Sequence, residues 1–366
     1  MKSPGPTRGK GFSFFLMKRR SFLKEAAFLS AAAALAPGLA ASCSSKGAGE
    51  EGAIARNFTF GPDGSFTVLQ FTDTHYIAGD PRSQRALDCV EEALDAVKPD
   101  LVIHTGDIVF GKPDIPSARE ILSPLAASGI PWAVALGNHD SQFSASREEM
   151  FETIRQMAGC VNLPPKAGIY GCSNDVLTLS GPGGVERVFY LFDSMDAVVL
   201  KGEEEIHCYD YIRHSQIAWY RAHSRRFTSA NNGTPVPSLA FFHIPLCELP
   251  EALASGIPLL AGNNGEPPCP SRLNSGLFAQ FREMGDVQAI VNGHDHDCDY
   301  VPPYGRMFFI YGRFSGCDTI YNHLGLSGCR VFRFRAGVPG FRTWVRLYGG
   351  EIQQDIELAG GIRSSV

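Results

Sequence analysis

Three features that would have indicated a particular class of protein are absent from the sequence. It contains no C-x-x-C pair, which argues against a structural zinc site built from such cysteine pairs. Beyond its first 42 residues it has no apolar run long enough to span a bilayer, which argues against an internal transmembrane helix. It also shows no internal repeat. Of its 366 residues, 19% are charged and 44% hydrophobic, as in ordinary globular proteins.

Residues 1–42 are predicted to be an export signal. MKRRSFLK (17–24) is followed by a short, alanine-rich apolar stretch that ends at Cys43. A basic region, an apolar core and small residues are typical of such signals, and R-R-x-F-L-K resembles a twin-arginine signal. LAAS-Cys43 resembles a lipoprotein cleavage box, and residues 43–56 would then be a polar tether. The alternative is ordinary cleavage nearby, with Cys43 lost. We therefore expect a location in the periplasm or, with Cys43 lipidated, at a membrane surface of the cell envelope.

Removal of this signal would leave an acidic protein. Residues 1–42 carry seven Lys or Arg and one Glu, so their loss lowers the formal charge from −5 to −11. Because nucleic-acid binding depends on Lys and Arg that neutralise phosphates, we expect no nucleic-acid partner.

Nine cysteines follow Cys43, and export would permit disulfides. Two pairs are plausible from their sequence positions, Cys160 with Cys172 and Cys298 with Cys317. Since nine is odd, at least one thiol should stay free unless it pairs with another molecule.

The order of predicted elements indicates one α/β (α+β) domain over residues 57–350, with a C-terminal tail at 351–366. Apolar strands at 65–73, 100–107 and 130–138 alternate with helical patterns at 83–99, 115–129 and 146–157. Such alternation is typical of parallel βαβ units. After about residue 160 strands predominate, and the chain ends in an antiparallel pattern. Two sheets packed face to face and covered by helices fit this order.

Five predicted strands end in polar residues that can bind divalent metals. These residues are Asp73, His75, Asp107, Asn138, His139, Asp140, His243, His294 and His296. Each short motif alone is weak, because an Asp after a strand is usually a cap or turn residue. Together, at the carboxyl ends of strands, they predict one site. Oxygen and imidazole donors suit Fe, Mn or Zn.

The motifs D-x-H, G-D, G-N-H-D, a strand ending in H, and G-H-x-H, in that order, resemble the calcineurin-like metallophosphoesterase superfamily. The stretches YDYIRHSQIAWY (209–220) and GDVQAIVNGHDHDCDY (285–300) resemble the branch related to purple acid phosphatases. The resemblance implies a four-layer double β-sandwich flanked by helices, and two divalent or trivalent metal ions.

The resemblance also implies roles for individual residues. The first metal would be held by Asp73, His75 and His296, and the second by Asn138, His243 and His294, with Asp107 bridging both. His139 would stabilise the transition state or protonate the leaving oxygen. Asp140 could orient His139 or be a surface cap. Asn138, His139 and Asn274 are the predicted substrate-binding residues, and Asp107 and His139 the predicted catalytic ones. Asp295 and Asp297 are expected to face away from the metals.

One position departs from the purple acid phosphatase pattern. Those enzymes have a tyrosinate ligand three residues after the bridging aspartate, and Phe110 stands there in this sequence. We therefore expect a protein that is not purple.

The implied function is hydrolysis of small phosphate monoesters by a metal-activated hydroxide in an exported enzyme. A phosphodiesterase or nucleotidase is the alternative among enzymes. A surface binding lipoprotein with a purely structural metal site is the alternative from another class.

Overall fold

The computed structural model describes residues 52–202 and 204–359, and the strands in these ranges form two large sheets and one hairpin. The seven-stranded sheet contains, in spatial order, β1 (Arg56–Thr59), β5 (Asp175–Gly181), β6 (Gly184–Leu191), β9 (Ser238–Phe241), β10 (Val287–Asn292), β12 (Met307–Tyr311) and β11 (Pro303–Tyr304). The six-stranded sheet contains β15 (Ile352–Leu358), β14 (Phe341–Leu347), β13 (Gly328–Arg335), β2 (Ser65–Phe71), β3 (Leu101–His104) and β4 (Trp132–Val134). The hairpin consists of β7 (Ala197–Leu200) and β8 (Ile206–Tyr209).

The helices lie in two groups along the chain. They are α1 (Gln84–Val97), α2 (Asp114–Ile121), α3 (Ser123–Ser128), α4 (Arg147–Arg155), α5 (His214–Ala230), α6 (Glu248–Ala254) and α7 (Leu277–Met284). Helix α1 shows why these segments are helical: it buries Ala86, Cys89, Val90, Ala93 and Leu94, the spacing of one helix face. It ends where Lys98 adopts a left-handed conformation before Pro99. None of the helices in the described ranges is both long and apolar enough to cross a membrane.

Three apolar cores separate four layers. The central core lies between the sheets, with Val68 and Ile103 from one sheet against Phe189 and Phe241 from the other. A second core joins the outer face of the six-stranded sheet to α1–α4, and a third joins the outer face of the seven-stranded sheet to α5–α7. Each fully buried aliphatic or aromatic side chain contributes about 1.5–3 kcal/mol to this packing. The predicted double β-sandwich flanked by helices is confirmed.

The local order of elements matches the prediction in both halves. Strands β2, β3 and β4 are parallel neighbours linked by helices, as the alternating pattern indicated. Strands β13 and β14 form the predicted antiparallel pair, with Val331 opposite Trp344.

The predicted end of the domain at residue 350 is wrong. Strand β15 pairs with β14 beyond that point, with Ile356 opposite Thr343. It is an edge strand whose one buried side chain is Leu358, and its sequence IQQDIEL is mostly polar. A strand of this kind carries little apolar signal, because its partner strand covers only one edge and few of its side chains are buried. The predicted signal and most of the tether, residues 1–51, and the tail at 360–366 lie outside the described residues.

Neither of the two plausible disulfides is present in the described residues. All nine cysteines after Cys43 are free thiols in the described structure. Cys160 contacts Asn162, and Cys317 contacts the Arg82 carbonyl oxygen. Nearness along the sequence therefore did not bring either predicted pair together.

Candidate metal centre

The loops that follow five strands converge at one edge of the sandwich. Strands β2, β3 and β4 run parallel in one sheet, and β9 and β10 run parallel in the other. Their carboxyl ends deliver all seven predicted ligands: Asp73, His75, Asp107, Asn138, His243, His294 and His296. Each of these side chains is buried. The site thus lies where ligands collect in open α/β sheets.

Four of the seven predicted ligands have a left-handed backbone conformation. Their φ angles are 55° at Asp73, 45° at His75, 52° at Asp107 and 86° at His294. Non-glycine residues seldom adopt positive φ, and such strain concentrates at functional sites. Backbone hydrogen bonds between loops hold these strained residues in place. Asp73 N donates to Gly106 O at 2.9 Å, and His75 N donates to Asp107 O at 3.0 Å.

Glycines allow close contact between two pairs of these loops. A Cβ added at Gly137 would lie 2.2 Å from Asp107 Oδ1, and one added at Gly293 would lie 1.9 Å from Thr72 Oγ1. Any larger residue at either position would push a predicted ligand out of place.

The ligand atoms form three groups that could each hold a metal. The groups are Asp73, His75 and His296; His75, Asp107 and His139; and Asp107, His243 and His294. Asp107 is shared, and its Oδ2 lies 3.0 Å from His243 Nε2 and 3.7 Å from His75 Nε2. The arrangement therefore has the form predicted for two ions and a shared carboxylate.

Two observations indicate that these side chains are arranged for cations. The Asn138 Oδ1 is buried and has no hydrogen-bond partner in the protein, although such an orphan acceptor costs about 1–3 kcal/mol. The Nε2 atoms of His75 and His296 face each other at 3.0 Å. Oxygen and imidazole donors that point at common positions in this way fit Fe, Mn or Zn.

Carbonyl oxygens behind the ligands orient two imidazoles. His243 Nδ1 lies 2.8 Å from Thr105 O, and His296 Nδ1 lies 3.0 Å from Tyr321 O. Because a carbonyl only accepts, each Nδ1 donates and each Nε2 is left as a possible metal ligand.

The charges within the cluster also suit metal binding. Burial, reinforced by His243, lowers the pKa of His294 to about 3, and burial with His75 lowers the pKa of His296 to about 4. Burial would lower the pKa of His243 too, but Asp107 and Asp73 outweigh it and raise that pKa to about 9. Burial would raise the pKa of Asp73 and of Asp107, but His243 and the other nearby imidazoles outweigh it and hold both pKa values below the usual range. His294 and His296 are therefore neutral and both carboxylates ionised at neutral pH, as metal ligands must be, whereas His243 has to release a proton when a metal binds.

His139 lies at the mouth of this cluster. It begins a short 3-10 turn, and its side chain is 24% exposed. Its Nε2 lies 3.9 Å from Asp107 Oδ2, whereas its Nδ1 lies 2.7 Å from Gln142 Oε1. One ring nitrogen thus faces the ligands and the other faces away from them.

Asp140 takes neither of its two predicted roles. It is 1% exposed, and it accepts hydrogen bonds from the backbone of Gly137 at 2.8 Å and of Ile108 at 2.7 Å. It therefore ties the loop after β4 to the loop after β3. Gln142, three residues beyond His139, makes the contact expected of Asp140.

Asn274 makes its hydrogen bonds apart from the seven ligands. Its amide donates to Glu248 at 2.8 Å and accepts from Gly276 N at 2.8 Å, in the turn before α7. Its side chain also lines a small cavity with Ser194 and Leu246. These contacts show that Asn274 stabilises the turn before α7. Its part in substrate binding stays a prediction.

The acids beside His294 and His296 face away from the ligands, as expected. Asp295 accepts from the Cys269 backbone and contacts the Tyr311 hydroxyl, and burial raises its pKa to about 7. Asp297 binds His323, with its Oδ2 2.6 Å from Nδ1.

Three aromatic rings pack against the imidazoles of the site. Tyr209, at the end of β8, meets His294 edge-on with ring centroids 4.4 Å apart. Tyr321 stacks on His296 at 4.5 Å. Phe110 packs edge-on against both His75 and His139. The motif around Tyr209 was visible in the sequence, but its contact with the site depends on where the hairpin folds back.

Known proteins resemble this chain in sequence. The family model described as calcineurin-like phosphoesterase matches residues 66–298, a span that contains all seven predicted ligands. The chain belongs to the calcineurin-like phosphoesterase family. This phosphoesterase is 31% identical over 340 residues to the Arabidopsis thaliana protein named "Probable inactive purple acid phosphatase 29", covering 80% of this chain and 85% of that one. It is 30% identical to "Probable inactive purple acid phosphatase 28" of the same plant, covering 78% and 79%.

Solved structures support the fold. A dimetal phosphatase from Danio rerio superposes with a TM-score of 0.55 at 12% identity, covering 81% of this phosphoesterase and 99% of that chain. A purple acid phosphatase from yellow lupin gives 0.50 at 13% identity, covering 81% and 54%. At such identities the likeness concerns the fold alone.

Proposed function

We propose that this phosphoesterase hydrolyses phosphate monoesters with two metal ions. The observation that carries the proposal is that five buried predicted ligands surround the shared carboxylate of Asp107 and the amide oxygen of Asn138, which no protein group satisfies. Asp73, His75 and His296 would hold one ion. Asn138, His243 and His294 would hold the other.

When bound, a metal pair lowers the pKa of a water nucleophile and neutralises charge on the phosphoryl oxygens. The protein residues supply the remaining requirements. Asp107 is held by the backbone N–H of His139, which donates to Oδ1 at 2.7 Å, so Oδ2 is directed at the imidazoles. The partly exposed His139 directs Nε2 toward the same place, where it can donate a proton to the departing oxygen.

Two alternatives stay open to test. A phosphodiesterase or nucleotidase would use the same metal ligands. A binding protein with a structural metal site is the alternative from another class, and relatives named "probable inactive" give reason to consider it. Retention of the full ligand set together with His139 favours an enzyme.

One experiment separates the three functions. The purified protein is loaded with Mn, Zn or Fe, and hydrolysis of 4-nitrophenyl phosphate and of bis(4-nitrophenyl) phosphate is measured with and without chelator. Faster, chelator-sensitive hydrolysis of the monoester supports the proposal. Preference for the diester supports a phosphodiesterase. Two bound metals by elemental analysis without turnover of either ester would support the binding protein.

We also propose that the protein is exported and lipidated at Cys43. The small residues before Cys43 and the polar stretch after it support this. Mass spectrometry of the native N-terminus tests it, because an unmodified peptide starting elsewhere than Cys43 would overturn the lipid anchor.

A further inference from the structure

A chain of polar contacts runs from His139 to the β7–β8 hairpin. Gln142 Oε1 lies 2.7 Å from His139 Nδ1, and Gln142 Nε2 donates to Asp196 Oδ1 at 3.1 Å. Asp196 directly precedes β7 and is 54 residues away from Gln142 in sequence. None of these contacts involves a predicted metal ligand.

The carboxylate of Asp196 determines the direction of both hydrogen bonds. An ionised carboxylate only accepts hydrogen bonds, so the NH₂ group of Gln142 must face Asp196. The amide oxygen of Gln142 then faces His139, and it too can only accept. The Nδ1 of His139 must therefore be the donor, which leaves Nε2 as the nitrogen that faces the site.

Ring contacts alone would not determine which ring nitrogen of His139 faces the site. Phe110 and His75 meet the His139 ring edge-on, with interplanar angles of 87° and 66°. Such contacts restrict the plane of an imidazole, but they do not distinguish its two orientations, related by a half-turn. A directional hydrogen bond from Nδ1 does distinguish them.

The hairpin itself is anchored on the other side of the site. Asp210 N donates to Asp196 O at 3.1 Å, which closes the base of the hairpin. Tyr209, one residue before Asp210, places its ring against His294. The position of Asp196 is thus linked to the same cluster that His139 serves.

We propose that Gln142 and Asp196 are positioning residues that hold His139 with Nδ1 as donor to Gln142 and Nε2 toward the reacting phosphate. The proposal rests on the proposed function, in which His139 donates the proton to the leaving oxygen. It predicts that changes at the exposed Gln142 alter proton donation while leaving the metal ligands in place.

The kinetic test compares leaving groups. Gln142→Ala should lower kcat about 10-fold for phenyl phosphate, a fraction of the 10²–10⁴-fold that a general acid contributes. It should change kcat about 2-fold or less for 4-nitrophenyl phosphate, which needs little proton donation, and it should leave KM and metal content unchanged. Asp196→Ala should have a smaller effect of the same pattern, since Gln142 can then rotate. The matched control is Gln156→Ala, because Gln156 is also exposed but contacts Glu152.

A double variant that exchanges the amide of Gln142 and the carboxylate of Asp196 should restore activity lost in a single variant. Gln142→Glu alone should impair phenyl phosphate hydrolysis, because two carboxylates would face each other. Combined with Asp196→Asn, the new carboxylate can accept from both His139 and the new amide, so phenyl phosphate hydrolysis should recover. Failure of the double variant to exceed Gln142→Glu would overturn the proposed direction of the contacts.

A spectroscopic readout does not depend on activity. In zinc-loaded protein, ¹⁵N NMR of the neutral His139 ring, assigned by its loss in His139→Ala, should show the hydrogen on Nδ1 in the wild type. The proton given to the leaving oxygen is then the second one, which Nε2 takes up when the ring becomes an imidazolium. Asp196→Ala should yield a mixture of tautomers. The same single tautomer in both proteins, or equal loss of kcat on both esters in Gln142→Ala, would overturn the positioning role. A wild-type protein that binds metal but hydrolyses neither ester would instead refute the proposed function.

Discussion

The two walls of the site are held in different ways. The ligand wall, made of the seven predicted metal ligands, is buried, strained in its backbone and tied together by bonds between loops. The hairpin wall, made of Gln142, Asp196 and the β7–β8 hairpin, is open: Val199 and Ile206 are 39% and 41% exposed, and Gln142 is exposed too. A buried wall fixes where metals bind, whereas an open one can adjust how a substrate is handled. Substitutions in the ligand wall should therefore change metal binding, whereas substitutions in the hairpin wall should change how the substrate is handled.

The largest effect should come from the carboxylate at the centre of the ligand wall. Asp107→Ala removes the group shared by two ligand clusters, so we expect at least one metal to be lost and hydrolysis to fall more than the 10²–10⁴-fold of a lost general acid. Elemental analysis beside kinetics checks this. Two metals retained with high activity would show that Asp107 is not the bridge.

His139, where the two walls meet, should show the next largest effect. His139→Ala should lower hydrolysis of poor leaving groups by about 10²–10⁴-fold while both metals stay bound. A series of substituted phenyl phosphates should show the smallest loss for the best leaving group. Because His139 also forms a possible ligand group with His75 and Asp107, metal loss equal to that of Asp107→Ala would make it a ligand.

The colour of an iron-loaded sample tests the aromatic residues around the ligand wall. Phe110 has no oxygen to offer, so we expect no strong visible charge-transfer band. Tyr76 lies near His75 in sequence, but it is buried, and burial together with a hydrogen bond to Glu120 raises its pKa, so we do not expect it to bind iron. If a band were seen, Tyr209→Phe should remove it, because the Tyr209 ring contacts His294.

The smallest effects are expected at two exposed histidines near the hairpin wall. His207 lies in β8 and His214 begins α5, and both are exposed. Replacing either with Ala should change stability by no more than about 0.5 kcal/mol and leave metal content intact. Thermal unfolding and kinetics measure this. A large loss of activity in His207→Ala would mean that the hairpin wall reaches further into the reaction than Asp196 and Tyr209 indicate.

The ligand wall could be predicted almost completely, and the hairpin wall could not. Asp73, Asp107 and His243 each lie two or three residues after the end of an apolar strand, so a local pattern locates them. The contact between Gln142 and Asp196 joins a turn to a hairpin 54 residues later, and no local pattern carries that information. The same reason explains the error at Asp140, whose neighbours along the chain do not show that its carboxylate is buried between two loops.

Local sequence patterns were enough to predict which residues could bind metal and that they would meet, because strands with apolar periodicity end at the same edge of a sandwich. Three other features could be seen only in the folded protein: β15 extends the six-stranded sheet, the nine cysteines after Cys43 stay unpaired, and Gln142 rather than Asp140 contacts His139. These outcomes depend on distances between segments far apart in the chain. Such distances are fixed by the packing of whole sheets and hairpins, and not by the residues on either side.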